Sequence, residues 1–339
     1  MSAQRHALIF GGSGQDGSYL SDLLLKQGWK VTGTCQNVHS SDPWRLRMLG
    51  ISDRIELISC ALSDEGAVRS AVTTTKPDAV FNVAAISSLE EARENPDLTI
   101  RINGTAVGWM LDELFDQNSD ARFFQASSAQ IFGSPETAPQ TETSVRSPEN
   151  SYAEAKILAD ENVDRARSQG HFAVSGILYN HESPLRTERF VSRKIASGLV
   201  DLLDEASGPL EIGSLDAVRD WSFAKDFMEG AVLAVEASAP GQYVFASGVA
   251  SRVRDWINYG AEYLGLEINW SGQGIEEEGR CARTGRLLVK VDPKFYRAID
   301  PARLIGDPSK ARSVLGWTPK MDLQALVHLM IDAERSQRN

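Results

Sequence analysis

The chain has 339 residues, of which 42% are hydrophobic and 24% charged, a balance that suits a globular protein with a large buried core. Its net charge of −11 argues against nucleic acid or an anionic membrane as partner, because phosphate-bearing surfaces select basic proteins. Cys35, Cys60 and Cys281 are few and far apart, so neither a disulfide framework nor a zinc spacing is present, no metal is expected, and a reducing cytoplasm is the expected setting. No apolar run approaches the length of a membrane span.

In chain order, His6–Phe10 reads as a short apolar strand that ends in glycines. Residues 17–27 have the helical spacing of Leu20, Leu23 and Leu24, and Lys30–Cys35 resumes a strand. Further β-rich runs fall at Arg54–Ser59, Ala79–Ala84, Arg122–Ala126 and Ala173–Leu178, with helical stretches between them. Strand and helix signals in alternation predict an α/β fold, a doubly wound parallel Rossmann sheet with right-handed crossovers. After Leu178 the rhythm breaks into polar, proline-bearing segments, the Gly/Glu-rich stretch Ser271–Gly285 and a helical tail beyond Pro319. The expected division is a cofactor domain over 1–178, receiving segments from about 213–247, and a smaller, irregular substrate lobe over 179–339.

Between the first strand and the first helix lies Gly11-Gly-Ser-Gly14-Gln15-Asp16-Gly17. Glycines there permit a tight turn and close approach of backbone to a pyrophosphate, and the helix start offers N–H donors and the positive end of its dipole. The end of the second strand should state the cofactor's 2′ preference, a carboxylate for a ribose hydroxyl or an arginine for a phosphate. It reads Cys35-Gln36-Asn37, neither of these, which leaves NAD and NADP both open.

Tyr152-Ala-Glu-Ala-Lys156 places a phenol and an ammonium four residues apart, on one face of a helix. A free tyrosine titrates near pH 10, so one that exchanges protons near neutrality needs a neighbouring cation. Ser127-Ser128 ends the fifth strand, on the sheet edge where doubly wound folds bind ligands. There Ser128 can hydrogen-bond a substrate oxygen while Tyr152 handles its proton. Order and spacing together point to a hydride-transfer site made by Ser128, Tyr152 and Lys156.

With those residues in view, the chain resembles the GDP-mannose 4,6-dehydratase family along nearly its whole length. Ala7-Leu-Ile-Phe-Gly-Gly-Ser-Gly-Gln-Asp-Gly-Ser-Tyr-Leu20 is similar to that family's opening, and Trp44-Arg-Leu-Arg-Met-Leu-Gly-Ile51 to the stretch after its second strand. Gly176-Ile-Leu-Tyr-Asn180-His181-Glu182-Ser183-Pro184 is the most specific match, followed by Phe190-Val191-Ser-Arg193-Lys194, by Arg219-Asp220-Trp221, and by Val291-Asp-Pro-Lys-Phe-Tyr-Arg297. The resemblance implies NADP as cofactor, with NAD also admitted, and contacts from Leu62, Ala84, Tyr152 and Lys156 besides the glycine loop and Gln36 and Asn37. It implies a GDP-sugar substrate held by Asn180, Val191, Lys194, Arg219, Arg297 and Asp300. It further implies a homodimer, with a tetramer also admitted. His181 and Glu182 read as residues that pin their loop.

The chain departs from the family at three places. The paired arginines expected for a 2′-phosphate align with Gln36 and Asn37, and an aspartate near the adenine aligns with Ala61. At the strand end the family's S-T-S-E becomes Ser127-Ser128-Ala129-Gln130. Gln130 keeps the position of the family's glutamate but not its basicity, and loss of a general base lowers rates by roughly 100- to 10,000-fold. Three functions follow as expectations: a GDP-mannose 4,6-dehydratase, a GDP-4-keto-sugar reductase or 4-epimerase that needs no such base, or a non-catalytic nucleotide-sugar sensor.

Overall fold

The computed structural model describes residues 4–296 and 304–338. Seven parallel strands build the main sheet: β1 (His6–Phe10), β2 (Lys30–Cys35), β3 (Glu56–Ser59), β4 (Ala79–Asn82), β5 (Arg122–Ser128), β6 (Phe172–Leu178) and, arriving late in the chain, β10 (Gln242–Phe245). Their spatial order is β10-β6-β5-β4-β1-β2-β3. It reverses between β1 and β4, and that switch point is where an open α/β sheet leaves a crevice for ligands.

Alternation along the strands decides which helices cover which face. Ala7 and Ile9 of β1, with Phe81 and Phe124, face α1 (Gln15–Lys26) and later segments; Leu8 and Phe10, with Val80 and Phe123, face the other layer. Between β2 and β3 lie α2 (Trp44–Met48) and a 3-10 turn; α3 (Glu65–Thr75) precedes β4. Then come α4 (Leu89–Glu94), α5 (Pro96–Ile100), a π-helical turn over Arg101–Thr105 and α6 (Ala106–Gln117). The long α7 (Ser151–Ser168) crosses between β5 and β6; its N-cap is Asn150, whose side chain accepts from the Ala153 N–H, the usual means of satisfying a free helix-start donor. Phe123 and Phe124 are both fully buried on opposite faces of β5, and truncating either to alanine is expected to destabilise the fold by about 3–5 kcal/mol.

Beyond β6 the chain is more regular than its composition suggests. β7 (Asn180–Glu182), β9 (Val218–Phe223) and β11 (Ala250–Arg252) form a three-stranded sheet. β8 (Leu210–Ile212), β12 (Ile268–Ser271), β13 (Glu278–Cys281) and β14 (Leu287–Val291) form a mixed four-stranded one. These strands are short and pair across distant sequence, so no local periodicity announces them. β8, β9, β12, β13 and β14 share a separate core that includes Trp221, Trp256 and Leu288, with α8 (Val191–Asp201), α10 (Val253–Tyr263) and α12 (Leu323–Arg338). In contrast α9 (Ala224–Glu236), β10 and α11 (Ser309–Leu315) return to the main sheet. The strand boundaries shift slightly from expectation: β3 begins at Glu56 after the turn Ser52–Arg54, β4 stops at Asn82, and β5 runs on to Ser128.

Among the described residues, no helix is long and apolar enough to cross a membrane.

Candidate active site

At the carboxyl edge of β1 the chain turns through Gly11, which has φ +88° and whose Cβ position would lie 3.0 Å from Ala84 backbone atoms. Only glycine suits that combination, and it brings Ala84, just past β4, against the loop. Gly17 is tighter still: a Cβ there would sit 2.1 Å from the Gly11 carbonyl oxygen. Gly14 caps α1 without any side-chain hydrogen bond, so the first-turn N–H groups of this twelve-residue helix face a ligand position with no internal competitor. A cleft of about 330 Å³ opens here, lined by the glycine loop, Gln36, Ala84 and, from the far side, Arg186 and Phe190. A glycine cradle, free helix-start donors and position at the sheet's switch point all fit a dinucleotide.

Of the other residues expected to hold a cofactor, Gln15 and Asp16 line this cleft, while Asn37 and Leu62 are not among its lining residues. The Gln15 amide donates to the His181 carbonyl oxygen at 3.2 Å and accepts from Ser183 Oγ at 2.8 Å. Asp16 Oδ2 meets His181 Nε2 at 3.0 Å, and His181 Nδ1 meets the Tyr179 carbonyl at 2.7 Å. Burial alone would pull the imidazole's pKa down, but the Asp16 carboxylate outweighs it and raises it; Asp16, which burial pushes up, is held below its usual range by His181. His181 therefore ties β7 to the first turn of α1. Glu182 accepts from Ser192 Oγ at 2.6 Å and pairs with Arg186 at 3.1 Å, a buried anchor. Asn37 lies exposed just past the cleft, its side chain accepting from the His39 N–H at 2.9 Å. Leu62 is partly buried against the layer that contains Val68 and Val72.

Ser128, Tyr152 and Lys156 come together where β5 meets α7. Ser128 stands near enough to Tyr152 to act on its phenol, and its Oγ accepts from the Gln130 N–H at 3.2 Å. Burial holds the Tyr152 phenol above its usual range, opposed by the Ser128 hydroxyl and by the charge of Arg186. Lys156 is 3% exposed. Its Nζ donates to the Ala126 carbonyl oxygen at 2.6 Å and stands 5.7 Å from the Tyr152 ring centroid. Burial pulls the ammonium down to about 8, with Asp160 and then Asp16 opposing. Gln130 is half-buried on the turn immediately after Ser128.

Of the residues expected to hold a substrate nucleotide, Asn180 and Arg219 lie on the paired strands β7 and β9. Arg219 Nη1 donates to the Val218 carbonyl oxygen at 2.7 Å. Val191 opens α8, and Lys194, one turn on, places its ammonium 3.7 Å from the Phe295 ring centroid. Lys194 and Phe295 line a second cleft of about 480 Å³ with Glu188, Asp201 and Glu211. Arg297 and Asp300 lie outside the described residues. Among the described residues, no group of three His, Cys, Asp or Glu side chains is placed to hold a metal ion.

Sequence reasoning assigned no role to three groups. Arg186 reaches the cofactor cleft with its guanidinium 3.5 Å over the Phe190 ring; its charge in a loop between two matched motifs was the available signal. Arg45 faces the same cleft, but its Nε donates to the Leu185 carbonyl at 2.7 Å. Asp160 lies one turn beyond Lys156, wholly buried.

The sheet order, glycine turn and Ser–Tyr–Lys cluster define an extended short-chain dehydrogenase/reductase fold. Solved structures agree on that fold: the NAD complex of dTDP-glucose 4,6-dehydratase from Bacillus anthracis superposes with a TM-score of 0.79 at 14% identity, covering 98% of this chain and 97% of that one. RMD from Pseudomonas aeruginosa, complexed with NADPH, gives 0.77 at 18% identity, covering 98% and 100%. The sequence profile of the GDP-mannose 4,6 dehydratase family matches residues 8–330. GDP-mannose 4,6-dehydratase of Sinorhizobium fredii is 35% identical over 344 residues, 99% of this chain and 98% of the relative. That of Vibrio cholerae is 33% identical over 356 residues, 99% and 96%. The chain belongs to the GDP-mannose 4,6-dehydratase family.

Proposed function

We propose that this chain is an NAD(P)-dependent enzyme that modifies a GDP-hexose, with GDP-mannose the substrate that its family membership points to. The observation that carries this reading is the meeting of Ser128, Tyr152 and Lys156 beside the glycine cleft. When bound, the nicotinamide supplies the acceptor and donor of hydride. In oxidation at C4, Ser128 would orient the sugar hydroxyl by hydrogen bonding, and Tyr152 would take its proton. The Lys156 ammonium favours the phenolate that this requires, and it is held in place by the Ala126 carbonyl. In reduction the same proton returns from Tyr152 to the C4 oxygen. Asn180, Val191, Lys194 and Arg219 are assigned to the GDP moiety, Arg219 as a forked cation suited to a diphosphate. Arg297 and Asp300 share this assignment on resemblance alone.

Dehydration also needs a base for the C5 proton. Gln130 stands where that base is expected, and an amide does not accept a proton near neutral pH. This one residue favours a second reading, 4-keto reduction or epimerisation of a GDP-sugar. The intact Tyr152–Lys156 pair speaks against a purely non-catalytic sensor. For the cofactor, Gln36 and Asn37 supply no cation for a 2′-phosphate, so NADP rests on the resemblance and NAD is equally compatible with the cleft. A homodimer is likewise proposed from the resemblance.

Incubation of the purified protein with GDP-mannose and NADP or NAD in D2O, followed by NMR, tests the reading. A 4-keto-6-deoxy product carrying deuterium at C5 supports dehydration. Turnover only of a GDP-4-keto sugar with NAD(P)H supports the second reading. Silence in both assays for a folded protein that binds its ligands would refute both.

A further inference from the structure

Directly beneath the Tyr152–Lys156 pair, the next turn of α7 carries a carboxyl group that the mechanism above does not use. Asp160 is fully buried. Its Oδ2 accepts from Ser127 Oγ at 2.7 Å and its Oδ1 from Ser175 Oγ at 2.8 Å. Gln242 Nε2 lies 3.5 Å and Arg146 Nη2 3.8 Å from Oδ2. Four elements or loops therefore aim donors at one carboxylate: β5, β6, β10 and the segment before α7. Burial pushes the Asp160 carboxyl above its usual range, and the Arg146 charge, the Ser127 and Ser175 hydroxyls and the Lys156 charge all act against that push and favour the ionised form.

The same group touches both halves of the site. Ser127, which it holds, is the residue immediately before Ser128, and Lys156 donates to Ala126 one residue earlier. Tyr152, Lys156 and Asp160 are spaced i, i+4, i+8, so they form one ladder along a single helix face. A buried ammonium without a counter-charge shifts toward its neutral form. The groups that act on Lys156 electrostatically are Asp160 from its own helix and Asp16 from α1. Asp16 is itself paired with His181. Those acting on Asp160 are Arg146, Lys156 and Arg167.

We propose that Asp160 is a positioning residue of the active site: its carboxylate locks the Ala126–Ser128 strand end onto α7 and is the buried counter-charge that keeps Lys156 an ammonium. This rests on the reading of Tyr152 and Lys156 given above, and it extends that reading to a group that touches neither substrate nor cofactor. The consequence is a pH effect. A neutral residue at 160 leaves Lys156 with less opposition to its burial, so the lysine loses its proton at lower pH. The alkaline limb of the rate profile then moves toward neutrality.

The test is the titration of Lys156 itself. Protein labelled with 13C at lysine Cε is followed by NMR from pH 6 to 11, the Lys156 resonance being identified by its absence in Lys156→Arg. In Asp160→Asn, which is close in shape, the Lys156 midpoint should fall by about one unit, a tenfold loss of proton affinity. Asp160→Glu should restore most of it. Ser175→Ala, a mild change that removes one donor from the carboxylate, should lower it in the same direction by less, and keeps the test alive where Asp160→Asn fails to fold. An unchanged midpoint in these variants would overturn the proposal. The pH profile of kcat/KM separates the two layers of inference: a shifted Lys156 midpoint with an unshifted alkaline limb would leave Asp160 as the counter-charge but remove Lys156 from the reaction.

Discussion

Replacing Lys156 by methionine should make the protein more stable and nearly inactive. Lys156 is buried at 3% exposure and its ammonium is pulled from 10.5 down to about 8, chiefly by burial. The sign follows from linkage. Below pH 8 both folded and unfolded chains carry the proton, and the folded state bears the full penalty of burying it. As pH rises from 8 toward 10.5 the folded lysine is neutral first, and the penalty is lifted. At about 1.4 kcal/mol per unit, that penalty at pH 7 is about 3 kcal/mol. Methionine has similar volume and no charge, so it escapes the penalty but loses the 2.6 Å hydrogen bond to the Ala126 carbonyl. That bond, made by a charged donor, is worth about 1.5–3 kcal/mol. The carbonyl itself is not orphaned, since the Gln125 amide also donates to it at 2.8 Å, so the lower end of that range applies. Asp160 loses Lys156 as a neighbouring cation but keeps Arg146 at 3.8 Å and both serine donors, which limits that cost. The net expectation is a gain of about 1 kcal/mol at pH 7 that shrinks as pH approaches 10, read by urea unfolding at several pH values. Activity should fall by about 100- to 10,000-fold, as for loss of acid–base assistance. A variant less stable at pH 7, or one whose advantage does not vary with pH, would refute the account of Lys156 as a buried ammonium under strain from desolvation.

Gly17→Ala puts a Cβ where the Gly11 carbonyl oxygen lies 2.1 Å away, so the loop must move; calorimetry should show NADH and NADPH affinity weakened about tenfold or more, beside about 1–3 kcal/mol of lost stability. Unaltered affinity would mean the glycine turn does not hold the cofactor. Gln130→Glu should raise deuterium incorporation at C5 of GDP-mannose by about 100-fold or more; no gain would show that other residues also block elimination. Lys194→Met should weaken GDP binding about tenfold or more, as expected for loss of a charged hydrogen bond, and leave NAD(P)H binding unchanged. Equal weakening of both ligands would place Lys194 outside a separate nucleotide site.

The cofactor half was legible because its signals are local. Five strand–helix alternations, a glycine turn at a fixed place between β1 and α1, and a Tyr–Lys pair at helical spacing each occupy a few consecutive residues, where backbone sterics and periodicity act directly. The family resemblance added the segments after Leu178, and with them the assignments of Asn180, Lys194 and Arg219. The two small sheets were not legible. Their three- to six-residue strands pair across long separations, so what stabilises them is a partner absent from any local window.

The same division runs through the candidate site. The sequence by itself set the residue types: the glycines, Ser128, Tyr152 and Lys156, and the amide of Gln130 where a carboxylate is expected. Only the tertiary structure decided their electrical state. Bringing β5, β6, β10 and α7 together buries Lys156 and surrounds Asp160 with donors, while β7 and α1 set His181 against Asp16. Proton affinity depends on what solvent is excluded and which charges lie within a few ångströms, and neither quantity exists until distant segments of the chain have packed.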